Sequence, residues 1–486
     1  MSRGATFFTS RWGLMLAMLG MAVGTGNIWR FPRIVAGNGG GSFLVAWVVF
    51  LFLWSIPLIL LEFALGKGLR RGTVGGISGL LGEKYAWMGA WIGWSAAAVG
   101  FYYAVVMGWT LRYLFVSVNG QLTGADSQQM WDGFAFQPSA LLFHFIAVAM
   151  AVGVVVGGAA RIEQVARILM PLLIGLVVVL AVRAVTLPGA SAGLEFMFRP
   201  NWADLGSYEI WLQALTQNAW DTGAGWGLIT TYAIYARKND DTNLNAVTLA
   251  FGNNSISLLA GILVLCTVFS FTDAAVAASQ LQGQTNEGLT FLWIPQLFDQ
   301  MPAGRIFMIF FFAALVFAAW TSLVSLFELV ARVFTELGFE RRKVLPWLGV
   351  VVWLAGVPSA LSQDVFTNQD FVWSVGLMLS GVFFAFAVWR YGPGRFRREF
   401  LEGEHQDLRI GVWWEWAVRL VVVQGIVLVL WWLWQVRASD LWAPDGLANL
   451  FTQWAVVLVV FLLANRWMAR RLALRGESTD PASERS

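Results

Sequence analysis

The stretch that decides the fold is residues 10–32, which read SRWGLMLAMLGMAVGTGNIWRFP. It is apolar enough to cross a membrane, yet Gly20, Gly24 and Gly26 fall within seven residues. Each glycine in a helix interior costs about 1 kcal/mol relative to alanine, so this cluster predicts a helix that unwinds in its middle. The alternative is an intact helix that packs closely against its neighbours through small residues.

A second break is predicted at residues 220–227, which read WDTGAGWG. Three of these eight residues are glycine, and Asp221 brings a carboxylate to the same membrane depth. Non-helical backbone inside a bilayer is tolerated only where it is buried in protein or lines a cavity, and the half-helix ends there offer dipoles to ions and substrates. The two breaks therefore predict a transport site.

The composition of the whole chain places it in a membrane. Of its 486 residues, 58% are hydrophobic and 13% are charged, whereas a typical globular chain carries about 25% charged residues. Soluble enzymes and nucleic-acid-binding proteins are disfavoured on this ground. The single cysteine, Cys266, excludes an intramolecular disulfide, and two histidines give little material for a His-rich metal site.

Apolar stretches of about 20 residues, the length of a spanning helix, predict an all-α polytopic membrane protein with about twelve transmembrane helices. They lie at 12–37, 41–69, 88–119, 138–159, 162–185, 210–238, 242–272, 303–338, 344–362, 366–391, 413–436 and 447–472. Basic residues cluster in every second loop and at both ends, so the positive-inside rule places both termini in the cytoplasm.

Because the two breaks fall in the first and sixth helices, we expect two inverted five-helix repeats followed by two extra helices. The predicted divisions are a first repeat at 1–185, an outer connection at 186–209, a second repeat at 210–391, a cytoplasmic connection at 392–412, and two additional helices with a short tail at 413–486.

The glycine-rich first helix resembles that of the neurotransmitter:sodium symporter family. The resemblance rests on the sequences GTGNIWRFP at 24–32, NGGGSF at 38–43 and AAWTS at 318–322, and it extends over nearly the whole chain. It implies the leucine-transporter fold and the sodium-coupled uptake of amino acids or amines.

The resemblance also implies two sodium sites, for which unwound backbone can supply carbonyl oxygens. The second site would use the carbonyls of Gly20, Val23 and Ala318 and the hydroxyls of Thr321 and Ser322. The first site would use Ala22, Asn27 and Asn253, with Asp221 where the family has a serine or threonine hydroxyl.

Asp221 departs from the family pattern, and three roles for it stay open. Chloride-independent bacterial relatives carry a carboxylate on the seventh helix, where this chain has Ser257, so Asp221 would supply that charge from the sixth helix. A carboxylate beside a cation stays ionised, whereas an unpaired one takes up a proton. Asp221 would therefore ligate sodium and replace chloride, serve as a proton site, or hold a substrate ammonium.

The substrate is expected between the two breaks. By resemblance, the amides of Thr25 and Gly26 and the hydroxyl of Tyr103 would meet a substrate carboxylate, which suits a half-helix N-terminus. Monoamine carriers have aspartate where this chain has Gly24, so Gly24 favours an amino acid, while Asp221 keeps an amine open. The other expected contacts are the carbonyls of Ala22, Trp220 and Asp221 and walls from Met21, Val99, Trp220, Gly223, Trp226, Ile229, Ser322 and Leu326.

Gates are expected on both sides of the site. Arg30 and Asp370 would form an outer ion pair beneath which Tyr103 and Trp220 act as an aromatic lid.

The inner gate implied by resemblance uses Tyr235 and Glu336 with an amino-terminal arginine. Arg3 is displaced by two positions from the family's arginine, and Phe8 stands where the family has tryptophan. The carboxylates Glu62 and Glu328 are expected to bond unwound backbone.

The leading interpretation is a sodium-coupled secondary active symporter that imports a neutral, hydrophobic amino acid by alternating access. The alternatives are a sodium- or proton-coupled carrier of a small amine or other zwitterion, and a receptor-like protein that does not transport. An enzyme is not expected, because no nucleophile and base pair is visible. We expect transport to use one or two Na⁺ ions and to require no chloride. The expected partners are the substrate and membrane lipid, without nucleic acid. The protein is expected to be a monomer or weak homodimer in a bacterial inner membrane.

Overall fold

The computed structural model describes residues 7–403 and 406–478, which form helices, turns and loops without a β-strand. We number twelve principal helices, two of them in halves. They are α1a (Arg11–Ala22) and α1b (Gly26–Gly37), α2 (Gly41–Leu69), α3 (Glu83–Val118), α4 (Ala140–Val155), α5 (Gly158–Val185), α6a (Tyr208–Asp221) and α6b (Leu228–Ala233), α7 (Thr242–Phe271), α8 (Gly304–Glu336), α9 (Arg341–Leu361), α10 (Gln363–Tyr391), α11 (Trp413–Gln435) and α12 (Leu447–Ser478). Short helices in the connections are Thr73–Leu81, Ser127–Asp132, Ala190–Phe198, Ala274–Gln282, Ile294–Asp299 and Pro393–Phe396.

The predicted all-α membrane fold is confirmed. Within the described ranges, nine helices are long and apolar enough to cross a membrane, and the two halves of α1 together make a tenth. The two remaining helices fall short for physical reasons: α4 has 16 residues, and α6 is interrupted. The stretch expected as one helix at 210–238 therefore consists of two shorter ones.

The first break bends α1 by 56° between its halves. α1a ends at Ala22, and Val23 has an extended conformation with φ −77° and ψ 100°. Ser10 caps the other end of α1a, where its side chain accepts a hydrogen bond from the Gly13 amide at 2.9 Å. The glycine cluster thus opens the backbone at mid-helix, as the sequence predicts.

The second break requires glycine for a conformational reason. Gly223, Gly225 and Gly227 have φ values of 65°, 88° and 81°, which side chains with a Cβ rarely adopt. Glu62 of α2, fully buried, satisfies the freed backbone: its carboxylate accepts from the Gly225 amide at 2.6 Å and from the Thr230 amide at 3.2 Å. The expected role of Glu62 is confirmed.

Packing brings the two breaks to the centre of the bundle. α1a packs against α5 and α8, while α6b packs against α2. α3 contacts α4, α8 and α10, so it forms a wall beside both breaks. The unwound segments of α1 and α6 therefore lie beside α3 and α8, which together we call the scaffold.

Candidate functional site

A cavity of about 330 Å³ lies between the two breaks and extends toward the α10 and α11 side of the protein. Besides Asp370, it is lined by fifteen further residues predicted for the site or its outer gate. These are Met21, Ala22, Gly24, Thr25, Gly26, Asn27, Arg30, Val99, Tyr103, Trp220, Asp221, Gly223, Trp226, Ser322 and Leu326. Asp370 lines its outer part.

One end of the cavity offers hydrogen-bond donors at the start of α1b. The Thr25 amide donates to the Tyr103 hydroxyl at 3.1 Å, which leaves the hydroxyl's own hydrogen free to donate to another group. A Cβ placed on Gly24 would lie 3.1 Å from the Tyr103 hydroxyl and 3.2 Å from the Ser322 hydroxyl. This end suits an anionic group, provided that no side chain occupies position 24.

The walls of the cavity are mostly apolar. Trp220 and Trp226 pack edge to face with ring centroids 5.7 Å apart, and the Trp226 indole donates to the Ala219 carbonyl at 3.0 Å. Val99 and Leu326 line the opposite side. Ile229, also predicted as a wall, is fully buried on α6b and is absent from the lining among the described residues.

The residues predicted for the second sodium site come together where α1a meets α8. The Ser322 hydroxyl lies 3.4 Å from the Gly20 carbonyl oxygen and 3.3 Å from the Val23 carbonyl oxygen. The Thr321 hydroxyl lies 3.2 Å from the Ala318 carbonyl oxygen. The Ser322 hydroxyl thus meets two carbonyls at the end of α1a, whereas the Thr321 hydroxyl bonds back within α8 and also lies 2.9 Å from the Phe317 carbonyl oxygen. Carbonyl and hydroxyl oxygens of this kind suit a small hard cation.

The residues predicted for the first sodium site form a buried polar chain. The Asn27 amide nitrogen donates to Asn253 Oδ1 at 3.0 Å and to Ser257 Oγ at 2.8 Å. Ser257 and Gln217 donate to Asp221 Oδ2 at 3.3 Å and 3.4 Å. Asp221 is 2% exposed, and its Oδ1 has no hydrogen-bond partner within the described part of the chain. That oxygen can accept a cation.

The outer gate residues line the same cavity without forming the expected contact. Arg30 and Asp370 both line it, but no ion pair within 4.0 Å joins them in the ranges that the structure describes. The Arg30 guanidinium instead lies 5.4 Å from the centroid of the Trp220 ring. The ion pair expected for the outer gate is therefore not formed in the described part of the chain.

The opposite side is closed by the segment that precedes α1a. Phe8 is 1% exposed, and its ring packs edge to face on Tyr232 and Tyr235, with centroids 6.1 Å and 5.8 Å away. The Phe8 amide also donates to the Tyr235 carbonyl at 3.0 Å. Phe8 thus fills the position expected of the family's tryptophan.

The inner carboxylates differ from the sequence prediction in their partners. Glu328 does not bond unwound backbone. Its carboxylate accepts hydrogen bonds from Arg341, at the start of α9, at 2.9 Å and from the Tyr235 hydroxyl at 2.6 Å. Glu336, at the end of α8, does not contact Tyr235. Its side chain instead reaches the start of the helix Thr73–Leu81, where it accepts hydrogen bonds from the amides of Gly72 and Gly75. Arg3, the candidate arginine, lies outside the described residues.

Several lining residues were not predicted, including Gln217, Arg33, Glu287, Ser374 and Met378. Gln217 carried a usable signal, since it precedes Asp221 by one helical turn and so shares its face. Arg33 lies on α1b itself, whereas Glu287, Ser374 and Met378 come from distant segments that no local pattern connects to the breaks.

An all-helical membrane bundle with two broken helices that meet at a central cavity is the architecture of secondary transporters. A family model described as the sodium:neurotransmitter symporter family matches residues 5–139 and 134–470. The chain belongs to this family.

The uncharacterized sodium-dependent transporter YhdH of Bacillus subtilis is 31% identical over 449 residues, which cover 87% of this chain and 96% of the relative. An uncharacterized sodium-dependent transporter of Methanocaldococcus jannaschii is 29% identical over 452 residues, covering 85% and 87%. The crystal structure of MhsT in complex with L-phenylalanine superimposes with a TM-score of 0.78 at 31% identity and covers 88% of this chain and 99% of that one.

The protein is therefore an integral membrane, sodium-coupled transporter of a small-molecule substrate. Its family is a transporter family rather than an enzyme family.

Proposed function

We propose that the protein imports a neutral, hydrophobic amino acid together with sodium by alternating access. The observation that carries this proposal is the absence of a side chain at Gly24, where a Cβ would lie only 3.1 Å from the Tyr103 hydroxyl and 3.2 Å from the Ser322 hydroxyl. The Thr25 amide donates to the Tyr103 hydroxyl, whose own hydrogen would then be donated to a substrate carboxylate at the start of α1b. An amino acid brings that carboxylate, whereas a simple amine does not.

The apolar walls support a hydrophobic side chain on the substrate. Trp220, Trp226, Val99 and Leu326 are among the residues that line the cavity. Gly223 widens it, since a Cβ there would meet nothing closer than 3.8 Å. MhsT, the structural relative described above, is bound to L-phenylalanine, which is a substrate of this kind.

Two sodium ions are proposed to accompany the substrate. The second site would draw on Gly20, Val23, Ala318, Thr321 and Ser322. An ion there would join α1a to α8, because its ligands come from both helices.

The first ion would bind beside Asn27, Asn253 and Asp221, next to the carbonyl of Ala22. The Asn27 side-chain oxygen accepts from the Gly24 amide at 2.8 Å, and its second lone pair would be available to the ion. The free Oδ1 of Asp221 would then complete the ligand set.

Asp221 is proposed to replace chloride as the counter-charge to the sodium ions. Two cations near mid-membrane need compensating negative charge, and a fixed carboxylate provides it without a diffusible anion. We therefore propose transport without a chloride requirement.

A second candidate substrate is a small amine. The specific observation that favours it is that Asp221 both lines the cavity and leaves one carboxylate oxygen without a partner in the described chain. An ammonium group could take that oxygen in place of sodium.

Alternating access would arise from rocking of α1 and α6 against the scaffold. The two five-helix repeats at 1–185 and 210–391 supply one broken helix each. We propose that closure brings Arg30 and Asp370 into an ion pair on the outer side, while Phe8 and Tyr235 separate on the inner side. Tyr235 and Glu336 would belong to two neighbouring inner contacts rather than to one pair.

The location is proposed to be the inner membrane of a bacterium, with both termini in the cytoplasm and a monomer or weak homodimer as the working unit. Basic residues in alternate loops support the orientation. This orientation makes the Phe8 side cytoplasmic and the Arg30 side external.

A ligand screen by thermal unfolding tests the proposal, because a ligand that binds the native state stabilises it by mass action. Purified protein would be heated with each of the twenty amino acids and a panel of amines, in sodium and in potassium. We expect a higher Tm with one or a few neutral amino acids and only in sodium. Stabilisation by amines alone, or equally in potassium, would reject the proposal.

A pair of variants on α3 localises the effect. Tyr103→Phe removes the hydroxyl beside Thr25 and should abolish the amino-acid response. Tyr113→Phe is the matched control, since Tyr113 lies outside the cavity lining and its hydroxyl has no partner among the described residues. It should respond like the natural protein.

A further inference from the structure

The segment before α1a is held by a buried carboxylate that none of the proposed gates uses. Glu163 of α5 accepts hydrogen bonds from the Thr9 amide and the Thr9 hydroxyl, both at 2.7 Å. Arg167, one turn later on α5, lies 2.7 Å from Glu163 and donates to the Thr9 hydroxyl at 3.0 Å. The Glu163 side chain is 3% exposed.

The backbone of α1a is shaped to receive this carboxylate. A Cβ on Gly13 would lie 1.7 Å from Glu163 Oε1, so only glycine fits there. The Ser10 hydroxyl, which caps α1a, is 3.5 Å from the same oxygen. A negative charge at a helix N-terminus is also favoured by the helix dipole. Glu163 therefore bonds the first turn of α1a from a neighbouring helix.

The other inner carboxylates are engaged elsewhere. Glu336 caps the helix Thr73–Leu81, and Glu328 binds Arg341 and Tyr235. Within residues 7–403 and 406–478, Glu163 is the carboxylate that hydrogen-bonds residues 7–11.

We infer that Glu163, assisted by Arg167, is the latch that holds α1a against α5 when the cytoplasmic side is closed. This inference rests on the proposed function, since alternating access requires α1a to leave α5. Glu163 is a positioning residue: it touches neither substrate nor ion. It acts by holding in place the helix whose other end offers Gly20 and Val23 to sodium.

Hydrogen–deuterium exchange of the purified full chain tests the latch. Amide exchange in residues 8–22 reports how often α1a opens, because exchange follows local opening. Glu163→Gln replaces a charged hydrogen-bond acceptor by a neutral one. The loss of a charge-assisted bond predicts about tenfold faster exchange of 8–22 in potassium. Saturating sodium should slow it again, because the ion would join α1a to α8.

Two further variants sharpen the test. Glu195→Gln is the matched control: Glu195 also forms an i, i+4 pair, with Arg199, but both side chains are exposed. It should leave exchange in 8–22 unchanged. Thr9→Val keeps the backbone amide and the shape but removes the hydroxyl, so it should accelerate exchange less, by about threefold.

The outcomes separate the latch from the proposed function. If Glu163→Gln leaves exchange in 8–22 unchanged, or raises it equally in sodium and potassium and throughout α5, the latch is refuted while the transporter proposal stands. If sodium fails to slow exchange of 8–22 in the natural protein, the sodium-coupled mechanism fails, and the latch fails with it. Acceleration confined to 8–22 and reversed by sodium supports the latch.

Discussion

Asp221→Asn removes one negative charge from the centre of the site while preserving its shape. Asparagine can still accept the hydrogen bonds that Gln217 and Ser257 donate to Asp221 Oδ2 at 3.4 Å and 3.3 Å. What changes is the charge available to a cation at the free Oδ1, in a side chain that is 2% exposed. The substitution therefore separates the charge of Asp221 from its packing.

The size of the effect follows from the charge alone. Two unit charges about 4 Å apart interact with about 4 kcal/mol at an effective dielectric constant of about 20. Since about 1.4 kcal/mol corresponds to a tenfold change in affinity, loss of the carboxylate should weaken sodium binding by two to three orders of magnitude. A chloride ion at the vacated charge position should recover part of that loss.

The assay is a sodium titration of substrate-induced thermal stabilisation, run once with chloride and once with gluconate as the anion. The natural protein should give the same half-saturating sodium concentration in both. Asp221→Asn should need about a hundredfold or more additional sodium in gluconate and less in chloride. An exposed control, Asp299→Asn, should behave like the natural protein. Unchanged sodium affinity of Asp221→Asn in gluconate would refute the counter-charge reasoning.

Three other substitutions test the second ion site and the two supports of the fold. Thr321→Ala should abolish sodium-stimulated ligand binding while Thr321→Ser retains it, and undiminished stimulation in the alanine variant would remove Thr321 from the second site. Glu62→Gln should lower the Tm measured in detergent, because the buried carboxylate accepts hydrogen bonds from two backbone amides. Hydrogen bonds to a charged group contribute about 1.5–3 kcal/mol each, so an unchanged Tm would contradict this role of Glu62. Gly66→Ala should also lower the Tm, since its Cβ would lie 2.2 Å from the Thr230 carbonyl oxygen. Gly153→Ala is its control, because nothing lies within 4 Å of the added carbon, and equal loss in both variants would count against the close approach of α2 and α6b.

The breaks in α1 and α6 could be predicted because their cause is local. Three glycines in seven residues destabilise a helix wherever it is placed, and Asp221 beside the second cluster indicated a polar cavity. Glu62 was identified through the family resemblance, which gave Glu328 the same role, and the structure supports that role for Glu62 alone. Half of the lining residues followed from these two segments and from the family resemblance.

The inner contacts could not be predicted because they depend on which distant segments approach each other. Arg341 reaches Glu328 only because α9 turns back along α8, and Gly72 reaches Glu336 across 264 residues of sequence. Glu163 and Arg167 look in the sequence like an ordinary exposed i, i+4 pair. Burial against α1a, visible only in the folded structure, sets this pair apart.

The outer pair illustrates a different limit. Arg30 and Asp370 line one cavity without forming an ion pair, and the contact that we propose for them would form in a closed state. A sequence pattern names the partners of such a gate but not the conformation in which they meet.

Uptake into proteoliposomes tests the central claim most directly. Vesicles containing the purified protein would receive a tenfold inward sodium gradient with the membrane potential held at zero, and a radiolabelled neutral amino acid identified by the ligand screen. A tenfold gradient supplies about 1.4 kcal/mol per sodium ion, so two coupled ions predict accumulation approaching a hundredfold and one ion approaching tenfold. Accumulation toward a hundredfold that collapses when potassium replaces sodium is the predicted result. Equilibration without accumulation, or equal uptake in potassium, would contradict sodium-coupled amino-acid symport.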